Sequence, residues 1–143
     1  KIVREGGGGS GMEEGYVYIL YALARHTSID CFEKRGRKGI AIIIGDEMSH
    51  DRVIARIANR IFGDRIRNDI PLADIYAEAA KTFDIYMIIP AQAAHGNSTV
   101  VRGYWNKLLG MDHVFVLADA NKVDDLIVEI VEINERQYQG KQQ

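Results

Sequence analysis

Apolar residues in this chain gather either in short unbroken runs or at every third or fourth position. Ile40-Ala41-Ile42-Ile43-Ile44 is continuous, mostly β-branched and ended by Gly45. That is the signature of a strand covered on both faces, because half-exposed strands alternate. Phe83 to Ile89, closed by Pro90, and Val114 to Ala118 have the same character. Between these runs the period changes to that of helices. Ser49 is placed to cap a helix in which Val53, Ile54, Ile57 and Ile61 form one stripe, stopping near Gly63. A second helix is expected from Pro71 to Thr82, with Leu72, Ile75, Tyr76 and Ala79 inward, since proline suits a first turn. Ser98 opens a third, with Val101, Tyr104, Trp105 and Leu108 inward and Gly110 as its stop. The last begins near Asn121 and sets Val123, Leu126, Ile127, Ile130 and Val131 against Asp124, Asp125, Glu129 and Glu132.

Counting a first helix over Tyr16 to Ala24, the order is α, β, α, α, β, α, β, α. Strands separated by helices need right-handed crossovers and form a mostly parallel sheet with helices on both faces. The expected fold class is therefore a doubly wound, Rossmann-like α/β sheet in a single domain over residues 1–143, with a frayed polar tail from Gln137 to Gln143. Three strands are few for such apolar runs. Either Lys1 to Arg4 is the remnant of a fourth strand, or a partner supplies more.

The first helix is apolar nearly all round. Tyr16, Leu20 and Leu23 form a face suited to the sheet, which turns Tyr18, Tyr21 and Arg25 outward. That second face is either tucked under a neighbouring helix or a tyrosine-rich protein interface.

Composition narrows the class without changing this outline. The chain has 143 residues, 47% apolar and 27% charged, with a formal net charge of −2. Disorder and low complexity do not fit these values, and no global pull toward nucleic acid or acidic membranes follows from them. Cys31 is the only cysteine, which excludes an intrachain disulfide and a cysteine-built zinc site and fits a reducing, cytoplasmic setting. No apolar run approaches the roughly 18 residues that span a bilayer.

In open parallel sheets ligands collect beyond the carboxyl ends of the strands. Those ends carry Gly45-Asp46-Glu47, Pro90-Ala91-Gln92 and Asp119. Asp46 stands out, because a carboxylate directly after a buried strand is rigidly held yet faces the crevice, as a hard-cation ligand must. The plainer role for Asp46 is a cap or turn, and Asp119 reads as a cap of the last helix. Gly6-Gly7-Gly8-Gly9-Ser10-Gly11 precedes the first helix. It has no P-loop lysine and no dinucleotide fingerprint, and Met12 stands where a nucleophile elbow around Ser10 requires glycine. It can bring backbone and the Ser10 hydroxyl close to an ion at a helix start, or serve as a flexible linker. His26, His50, His95 and His113 show no metal-ligand spacing. Arg52, Arg56 and Arg60, with Arg65 and Arg67, make a basic stripe, and Lys34, Arg35, Arg37 and Lys38 a basic loop. Both are expected to be solvated faces, and nucleic acid is not an expected partner.

Taken in order, the glycine-rich loop, Gly11-Met12-Glu13-Glu14, an apolar helix, a basic turn and Ile-Ile-Ile-Gly-Asp-Glu resemble the second half of a von Willebrand factor A domain. Trp105-Asn106-Lys107-Leu108-Leu109-Gly110, leading into a last strand and amphipathic helix, extends the likeness over most of the chain. The resemblance implies a doubly wound fold and a metal-ion-dependent adhesion site drawn from three loops. Ser10 matches the second loop, with serine in place of the usual threonine or aspartate, and Asp46 matches the third. The Asp-x-Ser-x-Ser motif of the first loop has no counterpart here. On this reading the chain is amino-terminally incomplete, and the missing half lies on another chain, was cleaved away or is replaced by a second copy.

Magnesium or manganese, which take oxygen ligands and keep several waters, would be held by Ser10 and Asp46 once that half is present. A partner's acidic side chain would take the open position. The expected function is thus a divalent-cation-dependent, protein-binding module that performs no catalysis. The alternatives are a metal-dependent hydrolase or phosphoryl-transfer domain using Asp46 and Glu47, with Asp119, His50 or His95 as base, and a metal-free scaffold. The unpaired edge of the Ile40 strand and the Tyr18/Tyr21 face both favour an oligomer.

Overall fold

The computed structural model describes residues 13–142. It is a mixed α/β structure whose described residues fall into two compact units, where the sequence suggests one domain. One unit holds the chain up to Gly39 together with Glu47–Asp84, and the other holds Ile40–Asp46 with the chain from Ile85 onward. In order the elements are β1 (Glu13–Glu14), α1 (Tyr16–Arg25), α2 (Asp30–Arg35), β2 (Gly39–Ile44), β3 (Met48–Ser49), β4 (Arg52–Val53), α3 (Ala55–Phe62), β5 (Ile70–Pro71), α4 (Leu72–Ala79), β6 (Phe83–Pro90), α5 (Thr99–Leu109), β7 (Val114–Leu117) and α6 (Val123–Lys141).

The three apolar runs form one sheet in the order β2-β6-β7. β6 and β7 are parallel, with Met87 opposite Val114 and Pro90 opposite Leu117. Amides of Gly39 and Gly45 donate to Thr82 and Ile88 at 2.9 and 3.1 Å, so β2 advances in the same direction as β6. Each of Ile85 to Ile89 in this central strand is at most 2% exposed, which explains why its sequence is continuous and not alternating. In the second unit Tyr86, Ile88, Leu117 and Ile130 form a core, with Ile40, Ile42 and Leu126 packed against it. Full burial of a side chain such as Ile130 contributes about 1.5–3 kcal/mol.

Helix α5 has the expected cap and stop, but Tyr104 and Leu108, expected inward, are half-buried and Leu109 takes the inward place. Its Ser98 hydroxyl accepts the Val101 amide at 3.3 Å, and Val101, Trp105 and Leu109 are buried at four-residue intervals. α6 continues through Gln137 to Lys141, so the polar stretch expected to fray is helical there. Val131, expected inward, is 43% exposed.

The first unit departs further from expectation. Ser49 caps nothing: it lies in β3, 2% exposed, because this stretch pairs β3 with β1 in parallel and β4 with β5 in antiparallel fashion. α3 therefore starts at Ala55, whose amide donates to the Asp69 carboxylate at 2.8 Å. The cap arrives from 14 residues along the chain. α3 buries Ala55 and Ala58, while Ile54 is 39% exposed. Its stop matches the sequence, since Gly63 takes φ +77°, a conformation that costs glycine nothing. α2, expected as part of a basic loop, is a helical turn and a half ended by Gly36.

Candidate functional site

The second unit brings the carboxyl ends of β2, β6 and β7 together with the segments that follow them. Asp46 ends the first of these. One oxygen of its carboxylate, Oδ2, accepts the His95 amide at 2.8 Å, so the loop after β6 clips the residue after β2. A carboxylate offers about four lone-pair sites, and acceptor capacity therefore remains.

The loop that holds Asp46 is itself tightly wound. Amides of Ala93, Gly96 and Ser98 donate to the carbonyls of Pro90, Ala93 and His95 at 3.1, 3.1 and 2.9 Å. The Asn97 amide group donates to the Ala91 carbonyl at 3.2 Å. A Cβ on Gly96 would lie 1.9 Å from the Pro90 carbonyl oxygen, a contact no side chain can make, so only glycine closes this turn. Gln92 reaches the third loop, accepting the Ala120 amide at 3.4 Å. Asp119 accepts both the backbone and side-chain N–H of Asn121, at 3.0 and 3.1 Å. It caps the short 3-10 turn of Ala120–Lys122 that leads into α6.

Ser10, the other expected metal ligand, lies outside the described residues. Among the described residues no three His, Cys, Asp or Glu side chains form a group that could hold a metal ion. The donor chemistry of Asp46 suits a hard cation, but an octahedral ion needs several more oxygens. The histidines have structural settings. His113 Nδ1 lies 2.8 Å from the Ile85 carbonyl and its ring stacks on Tyr86 at 4.4 Å. His50 lies 3.6 Å from the Glu13 carboxylate.

The Tyr18, Tyr21 and Arg25 face of α1, read in sequence as either tucked under a neighbouring helix or an interface, meets partners within its own unit. Tyr21 is 0% exposed, and its hydroxyl donates to the Asp64 carboxylate in the segment after α3. Arg25 forks onto Glu78 of α4 with both contacts near 3 Å, 3.0 Å from Nε and 2.9 Å from Nη2. Tyr18 accepts the Ile54 amide at 3.4 Å. Tyr21 is covered because α4 and the segment after α3, in the same unit, pack on it, while Tyr18 is half-buried and Arg25 exposed. Burial raises the Tyr21 hydroxyl above its ordinary range, helped by Asp64, while the Tyr21 and His26 hydrogen bonds lower the Asp64 carboxyl. The bond to Glu78 raises the already high Arg25 guanidinium.

Sequence reading placed Gln92 at a strand end but overlooked Gly96 and Asn97. The run His95-Gly96-Asn97-Ser98 is dense in turn formers, which was the available signal. Asp64, Asp69 and Glu78 were overlooked because each acts on a residue distant in sequence. No family model, curated protein or solved structure matches this chain. No helix among the described residues is long and apolar enough to cross a membrane.

Proposed function

We propose that this chain is a binding module of von Willebrand A type, a doubly wound sheet that engages a protein partner through a magnesium or manganese ion. The observation that supports the reading is Asp46 itself. It stands two residues past a parallel, mostly β-branched strand, at the crevice end of the sheet, and a neighbouring loop fixes its carboxylate through the His95 amide at 2.8 Å. Such placement suits a ligand of a hard cation. Ser10 would supply a hydroxyl, with waters and an acidic side chain of the partner completing the shell. The partner is a second copy of this chain or a polypeptide that adds a strand beside β2, which has one strand neighbour among the described residues. A hydrolytic role is less well supported, since the Asp119 carboxylate that would act as base is engaged as a cap.

The test is manganese binding followed by electron paramagnetic resonance, on the intact chain and on Asp46→Ala, with native mass spectrometry of the same samples. Asp46→Ala is expected to weaken manganese binding at least about tenfold, or ~1.4 kcal/mol, while Asp119→Asn leaves it unchanged. Equal affinity in the intact chain and Asp46→Ala, or no binding by either once a completing polypeptide or second copy is bound, rejects the reading.

A further inference from the structure

The first unit carries an arginine surface unrelated to Asp46. Residues 56–67 hold Arg56, Arg60, Arg65 and Arg67 against a single acid, Asp64. That is a local balance of four minus one, or +3, in a chain whose net charge is −2. Sequence alone suggests a solvated face with acids interspersed as counter-charges. In the structure each nearby acid has a partner of its own. Asp64 takes the Tyr21 hydroxyl and lies 2.7 Å from His26 Nε2. Asp69 caps α3, and Asp51 is paired with Arg52 at 2.9 Å. All four remaining arginines are exposed.

Their framework is fixed. Arg56 and Arg60 are helical neighbours on the outer face of α3. Asn59, between them, donates to the Ile66 carbonyl at 3.0 Å and accepts the Ile66 amide at 2.9 Å. That two-way clamp ties the segment after the helix back against it, with Arg65 and Arg67 on either side of Ile66. The clamp fixes the backbone that carries the four arginines, so on binding only their side chains have to be ordered.

We propose that this surface binds double-stranded nucleic acid through its phosphate backbone, without reading the sequence. Guanidinium forks match phosphate oxygens two at a time. α3 is 8 residues long, about 12 Å at 1.5 Å per residue. A duplex presents a charge about every 1.7 Å along its axis, enough for each guanidinium to find a phosphate, whereas carboxylates on an acidic protein are sparser. The aromatic rings of this region are engaged with one another. Phe62 stacks on His26 with centroids 4.9 Å apart and meets Tyr21 at 5.1 Å, leaving no platform of the kind that single strands use.

The experiment is fluorescence anisotropy of the intact chain with a labelled mixed-sequence duplex, in chelator, as salt is raised. Log affinity should fall against log salt with a slope of about −3.6, from roughly 0.9 for each of four phosphates. Arg56→Gln with Arg60→Gln should make the slope shallower by about 2 without shifting the melting temperature, and the corresponding lysine pair should restore it. If that glutamine pair does not fold, Arg65→Gln with Arg67→Gln gives the same reading. A slope indifferent to these substitutions overturns the proposal, as does absence of binding at the lowest salt. Polyglutamate competing as well as unlabelled duplex would assign the surface to acidic proteins instead, and tighter binding of single strands would likewise overturn it.

Discussion

Each compact unit buries one tyrosine completely, and the two solve the problem of its hydroxyl differently. Tyr21 and Tyr86 are both 0% exposed. Tyr21 donates a hydrogen bond to the Asp64 carboxylate, whose side chain is 25% exposed and also meets His26. Tyr86 receives an N–H from Asn134 at 3.0 Å, with Asn134 only 5% exposed and the His113 ring lying nearly flat against it at 5°. One hydroxyl thus reaches outward to a charge that water still touches. The other is matched inside the core by a neutral amide. A buried hydroxyl needs a partner in either case, but only the first arrangement ties stability to acid.

The largest effect should come from breaking the second arrangement. Tyr86→Ala removes a wholly buried ring beside Ile88 and Ile130, and should destabilise the chain by about 3–5 kcal/mol in urea unfolding. Asn134→Leu keeps bulk but removes the amide facing the hydroxyl, and should cost about 1–3 kcal/mol. Because an amide does not titrate, that loss should be the same at neutral and acid pH. Asp64→Asn sharpens the contrast with the smallest change. The folded carboxyl of Asp64 is lowered by its bonds to Tyr21 and His26, below the roughly 3.9 of an unfolded aspartate. Its stabilisation is therefore present above the unfolded value and lost as pH falls through the folded one. Thermal melts should show the gap between the intact chain and Asp64→Asn unchanged from neutral pH down to about the unfolded value of 3.9, and closing as pH falls below it. A gap that stays constant would show that the charge plays no part in holding α1.

The same division appears in what could be read along the chain. α5 was legible from Ser98 to Gly110 because its cap, stripe and stop are all local features. β6 was legible because a strand buried on both faces must be apolar at nearly every position, whereas β2 and β7, equally apolar in sequence, leave Ile44 47% and Val116 38% exposed. Asp46 was legible as a place, two residues past the end of an apolar strand, though its partner His95 was not. Ser49 misled because a serine before an apolar period resembles a cap, and strand pairing by β3 outweighed that local preference. Tyr21 misled because helical periodicity says which residues share a face but not what will cover it.

The sequence by itself determined the parallel α/β class, the three core strands, the helix stops at Gly63 and Gly110, and the candidate carboxylate. Only the tertiary structure decided that Asp64, Asp69 and Glu78 serve α1 and α3, that Asn59 folds a basic segment back on its helix, and that the loop after β6 holds Asp46. The reason is range. Periodicity, capping and turn chemistry act over a few residues, whereas Tyr21 and Asp64 are separated by 43 positions, Asp46 and His95 by 49, and Arg25 and Glu78 by 53. Which carboxylate meets which donor depends on the path of the whole intervening chain, and no local pattern records that path.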